Sequence, residues 1–123
     1  MEFSGVVAGG EGRGRRIGFP TANLQVDGQA LRGLSRGVFS ALATWGESED
    51  RAAVVNIGSR PTFGGDGEVT VEVYILDYEG DLYGETVAVR LKEKLRDEQR
   101  FDSVEELRRQ IARDVEKARV ANP

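Results

Sequence analysis

The sequence predicts a mainly β fold: an antiparallel sheet closed into a small barrel, with one α-helix at the C-terminal end. Three observations predict it. Residues 69–76 and 85–92 alternate apolar and polar side chains at the period of a half-buried strand. Apolar runs follow one another through Gly-rich turns, with no helical pattern between them. Only from Ser103 onward does the apolar spacing become helical.

Taken in order, Phe3 to Ala8 reads as a first strand running into a glycine-rich loop. Gly37 to Trp45 is a second strand, ended by Gly46 and the acidic turn 47–50. Arg51 to Ile57 is a third, pairing with the second as a hairpin. Gly58 to Gly67 is a long turn-rich loop, a length that is often functional. In Val69 to Leu76, Val71, Val73 and Ile75 face one way, and Thr70, Glu72, Tyr74 and Leu76 the other. Asp77, Glu79 and Asp81 read as turn residues. Glu85 to Lys92 is a further strand, with Val87, Val89 and Leu91 on one face. Ser103 with Glu106 forms a capping box. Val104, Leu107, Ile111, Val115 and Ala118 then make an apolar stripe, while Glu105, Arg108, Arg109, Arg113, Asp114 and Lys117 are expected in solvent. Trp45 and Phe39 are expected in the core.

Composition bounds the chemistry. The chain of 123 residues fits one domain over 1–123, large enough to bury a single core. It has no cysteine, which excludes disulfides and thiol catalysis, and no histidine, which excludes an imidazole base. No apolar run is long enough to span a membrane. No secretory leader is visible, so the expected location is the cytoplasm. Net charge is −4, but residues 1–40 carry +2 and the rest −6. A local basic patch on an acidic protein suits a small anion better than nucleic acid.

That patch is the segment Gly10 to Gly18, with four glycines and three arginines, followed by Phe19-Pro20-Thr21-Ala22-Asn23. Glycines expose backbone N–H groups to a ligand, and arginines offer forked donors to phosphate. Thr and Asn oxygens can serve a hard cation such as Mg²⁺. It is neither a Walker A loop nor a dinucleotide fingerprint. Composition leaves open a solvated arginine-rich hairpin or a surface that touches nucleic acid. Glu72 is the acid to single out, since strand interiors disfavour Glu. It is either a solvent-facing residue or a general base held on a rigid strand, and pattern does not choose.

These residues accumulate into a resemblance. Gly-Arg-Gly-Arg-Arg-Ile-Gly-Phe-Pro-Thr-Ala-Asn-Leu at 12–24 resembles the signature loop of riboflavin kinases, including the kinase module of bacterial bifunctional riboflavin kinase/FAD synthetases. Gly37-Val38-Phe39, the run 56–63, Val71 to Asp77, 81–84, Leu95 to Glu98 and Phe101-Asp102-Ser103 resemble later segments of the family, in order. The resemblance implies a six-stranded antiparallel Greek-key barrel with a C-terminal helix. It implies that ATP and riboflavin give FMN and ADP. It places Mg²⁺ and the ATP phosphates at Thr21 and Asn23. Gly12, Arg13, Gly14, Arg15, Arg16, Gly18, Phe19 and Pro20 would belong to the nucleotide loop and the turn after it, and Arg96 to the loop closing over the ligands. It makes Glu72 the base for the ribityl terminal hydroxyl.

One departure stands out: Tyr74 occupies a position where many bacterial members carry histidine. The adenylyltransferase domain of the bifunctional enzymes is absent from this sequence, so FMN without FAD is the expected product. A monomer is expected, with no nucleic-acid or membrane partner. A non-catalytic flavin- or nucleotide-binding module is the alternative.

Overall fold

A computed structural model of the chain describes residues 1–9, 19–60, 68–78 and 80–121. The order of elements is β1 (Glu2–Gly9), β2 (Ala22–Val26), α1 (Gly28–Arg32), β3 (Gly37–Trp45), β4 (Ser48–Arg60), β5 (Glu68–Ile75), β6 (Thr86–Arg96) and α2 (Val104–Ala121). The strands close into a barrel in the order β1-β2-β5-β4-β3-β6, every neighbouring pair antiparallel. The spatial run β6-β3-β4-β5 is a Greek key, because β6 returns beside the first strand of a three-strand meander. Closure leaves no long sheet edge among the described strands.

Alternation decides what fills the barrel. Ala41, Ala43, Ala53, Val55, Ile57 and Val71 are essentially inaccessible, and Val73, Val87 and Val89 complete the same cluster. The opposite faces of β3 and β4 are covered as well. Val38, Val54 and Leu76 pack outside the barrel against Val115 and Ala118 of α2. This explains why β3 is buried on both faces along its first half, where one-sided alternation fails.

Two register shifts between β3 and β6 leave Lys92 and Leu95 as extra residues on β6. Such bulges bend a strand and re-aim its side chains. Leu91 accordingly packs on the interior cluster, whereas Leu95 packs outside with α2. At the first of these irregularities the buried Ser40 hydroxyl takes the place of a ladder partner. It accepts from the Glu93 N–H at 3.2 Å and donates to the Glu93 carbonyl at 3.4 Å. Ser40→Ala would orphan both groups and is expected to cost about 1–2 kcal/mol. A fall in the urea midpoint at unchanged slope would register it. Gly37 lies at φ +144°, and a Cβ there would come within 2.9 Å of the Arg96 carbonyl. Only glycine lets β3 start this close to the end of β6.

The helix start forms one half of the expected capping box, while Glu106 reaches back one residue further than the box specifies. Glu106 N–H donates to Ser103 Oγ at 3.1 Å, and the Glu106 carboxylate accepts from the Asp102 N–H at 3.2 Å.

Several sequence expectations need correction. The pattern named five strands and passed over β2, whose five residues include only one buried side chain, Leu24. It also passed over α1, a single turn with no buried residue, capped by Asp27. β4 runs on through Gly58 to Arg60, so the loop starts later than expected. Val104, placed on the apolar stripe, is 60% exposed. Asp114, placed in solvent, is 1% exposed. It lies on the inward face of α2 between Ile111 and Val115, where Arg96 of β6 pairs with it at 2.9 Å.

Candidate active site

A cleft of about 510 Å³ opens on the outer face of the barrel. Its floor is the outward side of β5, β4 and the start of β3, with Phe19 and Thr21 ahead of β2 at one side; its far wall is the first half of α2, and residues 98–102 border it as a strap. That volume falls in the range of small-molecule sites.

Glu72 stands in the floor, half-buried, in the middle of β5. Strand pairing sets its neighbours. Asn23 of β2 is directly opposite on one side and Asn56 of β4 on the other. Cross-strand partners share a face, so the carboxylate sits between two amides. Thr21, two residues before Asn23, donates its hydroxyl to Glu72 Oε2 at 3.3 Å. The choice that pattern left open for Glu72 is thereby narrowed, because its face is the floor of a cleft rather than an open barrel surface.

Aromatic walls flank the carboxylate. Phe19 meets Tyr74 edge-on at 5.5 Å, and Phe101 faces the cleft from the strap. Burial, then the nearby Asp77 carboxylate, push the Tyr74 hydroxyl above its ordinary value, so it stays a neutral phenol at physiological pH. Tyr78 packs elsewhere, edge-on to Trp45, and Tyr83 is 70% exposed. The three tyrosines therefore do not form one surface.

Asp77 ties β5 to the end of α2. Its carboxylate accepts from Arg119 at 2.6 and 3.2 Å, which holds its pKa below the usual range. A depressed carboxyl contributes stability above its unfolded value of about 3.9 and loses it as pH falls through the folded value. Asp77 sits at φ 55°, a left-handed conformation that asparagine also tolerates. In thermal unfolding, wild type is therefore expected to exceed Asp77→Asn at neutral pH, with the gap closing in acid below about pH 4. A gap that persists unchanged in acid would refute the pairing as its cause.

Of the site residues read from sequence, Glu72, Thr21, Asn23 and Phe19 come together here. Pro20 is exposed and borders, with Thr21, a smaller hollow of about 90 Å³ at the barrel mouth, near Val7, Tyr78 and Leu82. Arg96 lines the cleft, but all three of its side-chain nitrogens donate to protein. Gly12, Arg13, Gly14, Arg15, Arg16 and Gly18 lie outside the described residues. Sequence reasoning missed Asn56 as a neighbour of Glu72, although it is the outward residue between Val55 and Ile57. It also missed Glu98, whose carboxylate accepts from the Ser59 N–H at 2.9 Å and pins the strap to β4.

Among the described residues there is no cluster of three acidic side chains to hold a metal by itself. The donors present are neutral oxygens beside one carboxylate. The Thr21 hydroxyl spends its proton on Glu72 and keeps its lone pairs. Thr21 and Asn23 thus fit a Mg²⁺ that takes its remaining ligands from phosphate and water. No helix among the described residues is long and apolar enough to cross a membrane.

A closed barrel with a lateral cleft, one carboxylate in its floor and oxygen donors alongside has the form of a small-molecule site rather than a flat sheet-surface binder. The family model for flavokinase, described as riboflavin kinase, matches residues 1–121, and the chain belongs to the riboflavin kinase family. It is 42% identical over 113 residues to the RNA-binding riboflavin kinase RibR of Bacillus subtilis, covering 92% of this chain and 47% of that protein. It is 43% identical over 117 residues to the bifunctional riboflavin kinase/FMN adenylyltransferase of Escherichia coli K12, covering 95% of this chain and 36% of that one. The chain thus spans less than half the length of these two relatives. The solved riboflavin kinase of Trypanosoma brucei matches the fold with a TM-score of 0.75 at 24% identity, over 98% of this chain and 75% of that one.

Proposed function

We propose that this chain is an ATP-dependent riboflavin kinase that moves the γ-phosphoryl group of ATP to the terminal ribityl hydroxyl of riboflavin, giving FMN and ADP. The observation that carries this reading is the Glu72 carboxylate, held mid-strand by Thr21 at 3.3 Å and facing a cleft of about 510 Å³. A planar tricyclic ring fits between aromatic side chains such as Tyr74 and Phe101. Its ribityl tail then leads toward Glu72. The hydroxyl oxygen forms a bond to the γ-phosphorus as the bond to the ADP oxygen breaks, and the hydroxyl proton passes to Glu72. Phosphoryl transfer asks mainly for positioning and charge stabilisation, so one carboxylate suffices without histidine. Mg²⁺, when bound, supplies charge neutralisation at the phosphate oxygens. Thr21 borders both the cleft and the smaller hollow, which supports reading it as the residue between the flavin and the nucleotide. The arginines at 13, 15 and 16 follow β1 in the chain and are assigned to the phosphates.

The test is incubation with riboflavin, ATP and Mg²⁺, followed by chromatography of the flavins. FMN without FAD is the expected product of residues 1–123. Flavin bound without FMN formed would favour a binding module instead. Thr21→Ala and Asn23→Ala are each expected to lower kcat/KM for Mg–ATP by about 10–100-fold and to shift the apparent Mg²⁺ dependence. A Mg²⁺ titration identical to wild type would overturn that assignment. We further infer a monomeric cytoplasmic enzyme. The RNA binding named for the Bacillus subtilis relative is not assigned here, given the net charge of −4.

A further inference from the structure

The resemblance puts Arg96 at the ligands, but its guanidinium is committed elsewhere. Nε donates to both Asp114 oxygens at 3.1 Å, and Nη2 donates to Oδ2 at 2.9 Å. Nη1 donates to the Asp97 carbonyl at 3.2 Å, and the Phe101 ring lies against the guanidinium at 5.6 Å. Asp114 is buried and also accepts from Gln110 Nε2 at 3.0 Å, while Gln110 Oε1 accepts from Arg113 at 2.8 Å. Swinging Arg96 toward a phosphate would strip a buried carboxylate of its counter-ion.

We propose, on the reading that this chain is a riboflavin kinase, that Arg96 is a positioning residue which sets the width of the flavin cleft through Asp114. The pair joins the two walls that receive the ring. Arg96 ends β6 and leads into the strap, and Asp114 belongs to α2. A bidentate fork fixes distance and orientation together, which a single point charge does not. A buried ion pair adds little net stability over apolar residues of the same size, so its contribution here is geometric. The segment is also held by Lys94 on Asp97, by Glu98 on the Ser59 N–H and by the Asp102 N–H on Glu106. Of these attachments the Arg96–Asp114 pair is the one that carries Phe101 against it, so its geometry is passed directly to an aromatic surface of the cleft.

The experiment compares Arg96→Lys, Asp114→Asn and the double variant. The readouts are riboflavin binding by flavin fluorescence quenching without ATP, then KM for each substrate and kcat for FMN formation. Each single variant is expected to weaken riboflavin binding and raise its KM by about tenfold or more, since small misplacements cost that much. KM for ATP should hold. The double variant should be no worse than the poorer single one, because the two residues act as one unit. If Arg96→Lys instead raises KM for ATP or lowers kcat while Asp114→Asn matches wild type, Arg96 contacts phosphate and the proposal is wrong. Unchanged riboflavin binding in both variants overturns it as well. The paired change Arg96→Met with Asp114→Leu guards against a mere folding defect. It should keep the thermal midpoint near wild type while still weakening riboflavin binding. Wild type is assayed first: failure to make FMN sinks the kinase reading itself, and the quenching measurement still tests the cleft geometry.

Discussion

Glu72→Gln is expected to lower kcat roughly 10²–10⁴-fold, with riboflavin affinity close to wild type. The substitution is nearly isosteric. Its amide oxygen can still accept the Thr21 hydroxyl that now reaches Glu72 at 3.3 Å, so the floor of the cleft should keep its shape. What it loses is the capacity to take a proton from the ribityl hydroxyl. In free-energy terms the expected loss is about 3–5 kcal/mol of transition-state stabilisation, which is the size of a general base and beyond that of a surface contact. Steady-state FMN formation at saturating substrates reads it directly, and fluorescence quenching checks that binding is retained. Turnover at the wild-type rate would remove Glu72 from the mechanism, leaving the cleft as a binding site only.

Asp114→Ala is expected to be the most destabilising single change among the described residues discussed here. The carboxylate is 2% exposed and Arg96 is 16% exposed, so the orphaned guanidinium cannot be fully rehydrated in place. Gln110 Nε2 loses its partner as well. Breaking such a pair costs about 3 kcal/mol at the lower end of the range. For a domain of this size that corresponds to a fall of about 10 °C in Tm. Removing both charges in the Arg96→Met, Asp114→Leu pair should restore most of the loss, because no charge is then stranded. A single Asp114→Ala variant as stable as wild type would mean that water reaches Arg96 freely.

Asp114 also illustrates where sequence reading stopped. An acid among charged neighbours on an amphipathic helix reads as solvated, and its helix position alone carries no information about a counter-ion 18 residues earlier on β6. β2 was missed for a related reason. Ala22 to Val26 alternates, but five residues following the glycine-rich loop are too short a run to stand out, and the strand exists because β1 and β5 pair with it, the latter about fifty residues away. By contrast β3, the β3–β4 hairpin and the capping box of α2 were legible, since neighbours in sequence suffice to specify them. Glu72 was legible from pattern only as an oddity, a carboxylate in a strand, and as a candidate base only through the family resemblance.

The sequence by itself determined the barrel-plus-helix class, the inward rows of Val71, Val73, Val87 and Val89, and the absence of thiol and imidazole chemistry. Those follow from side-chain periodicity and composition, which are local. Tertiary structure alone decided that Asn23 and Asn56 flank Glu72, that the outer face of β5 lines a cleft bordered by residues 98–102, and that Arg96 holds Asp114. Each of these depends on strand register and helix docking. Those are settled by contacts between distant residues and leave no periodic trace along the chain.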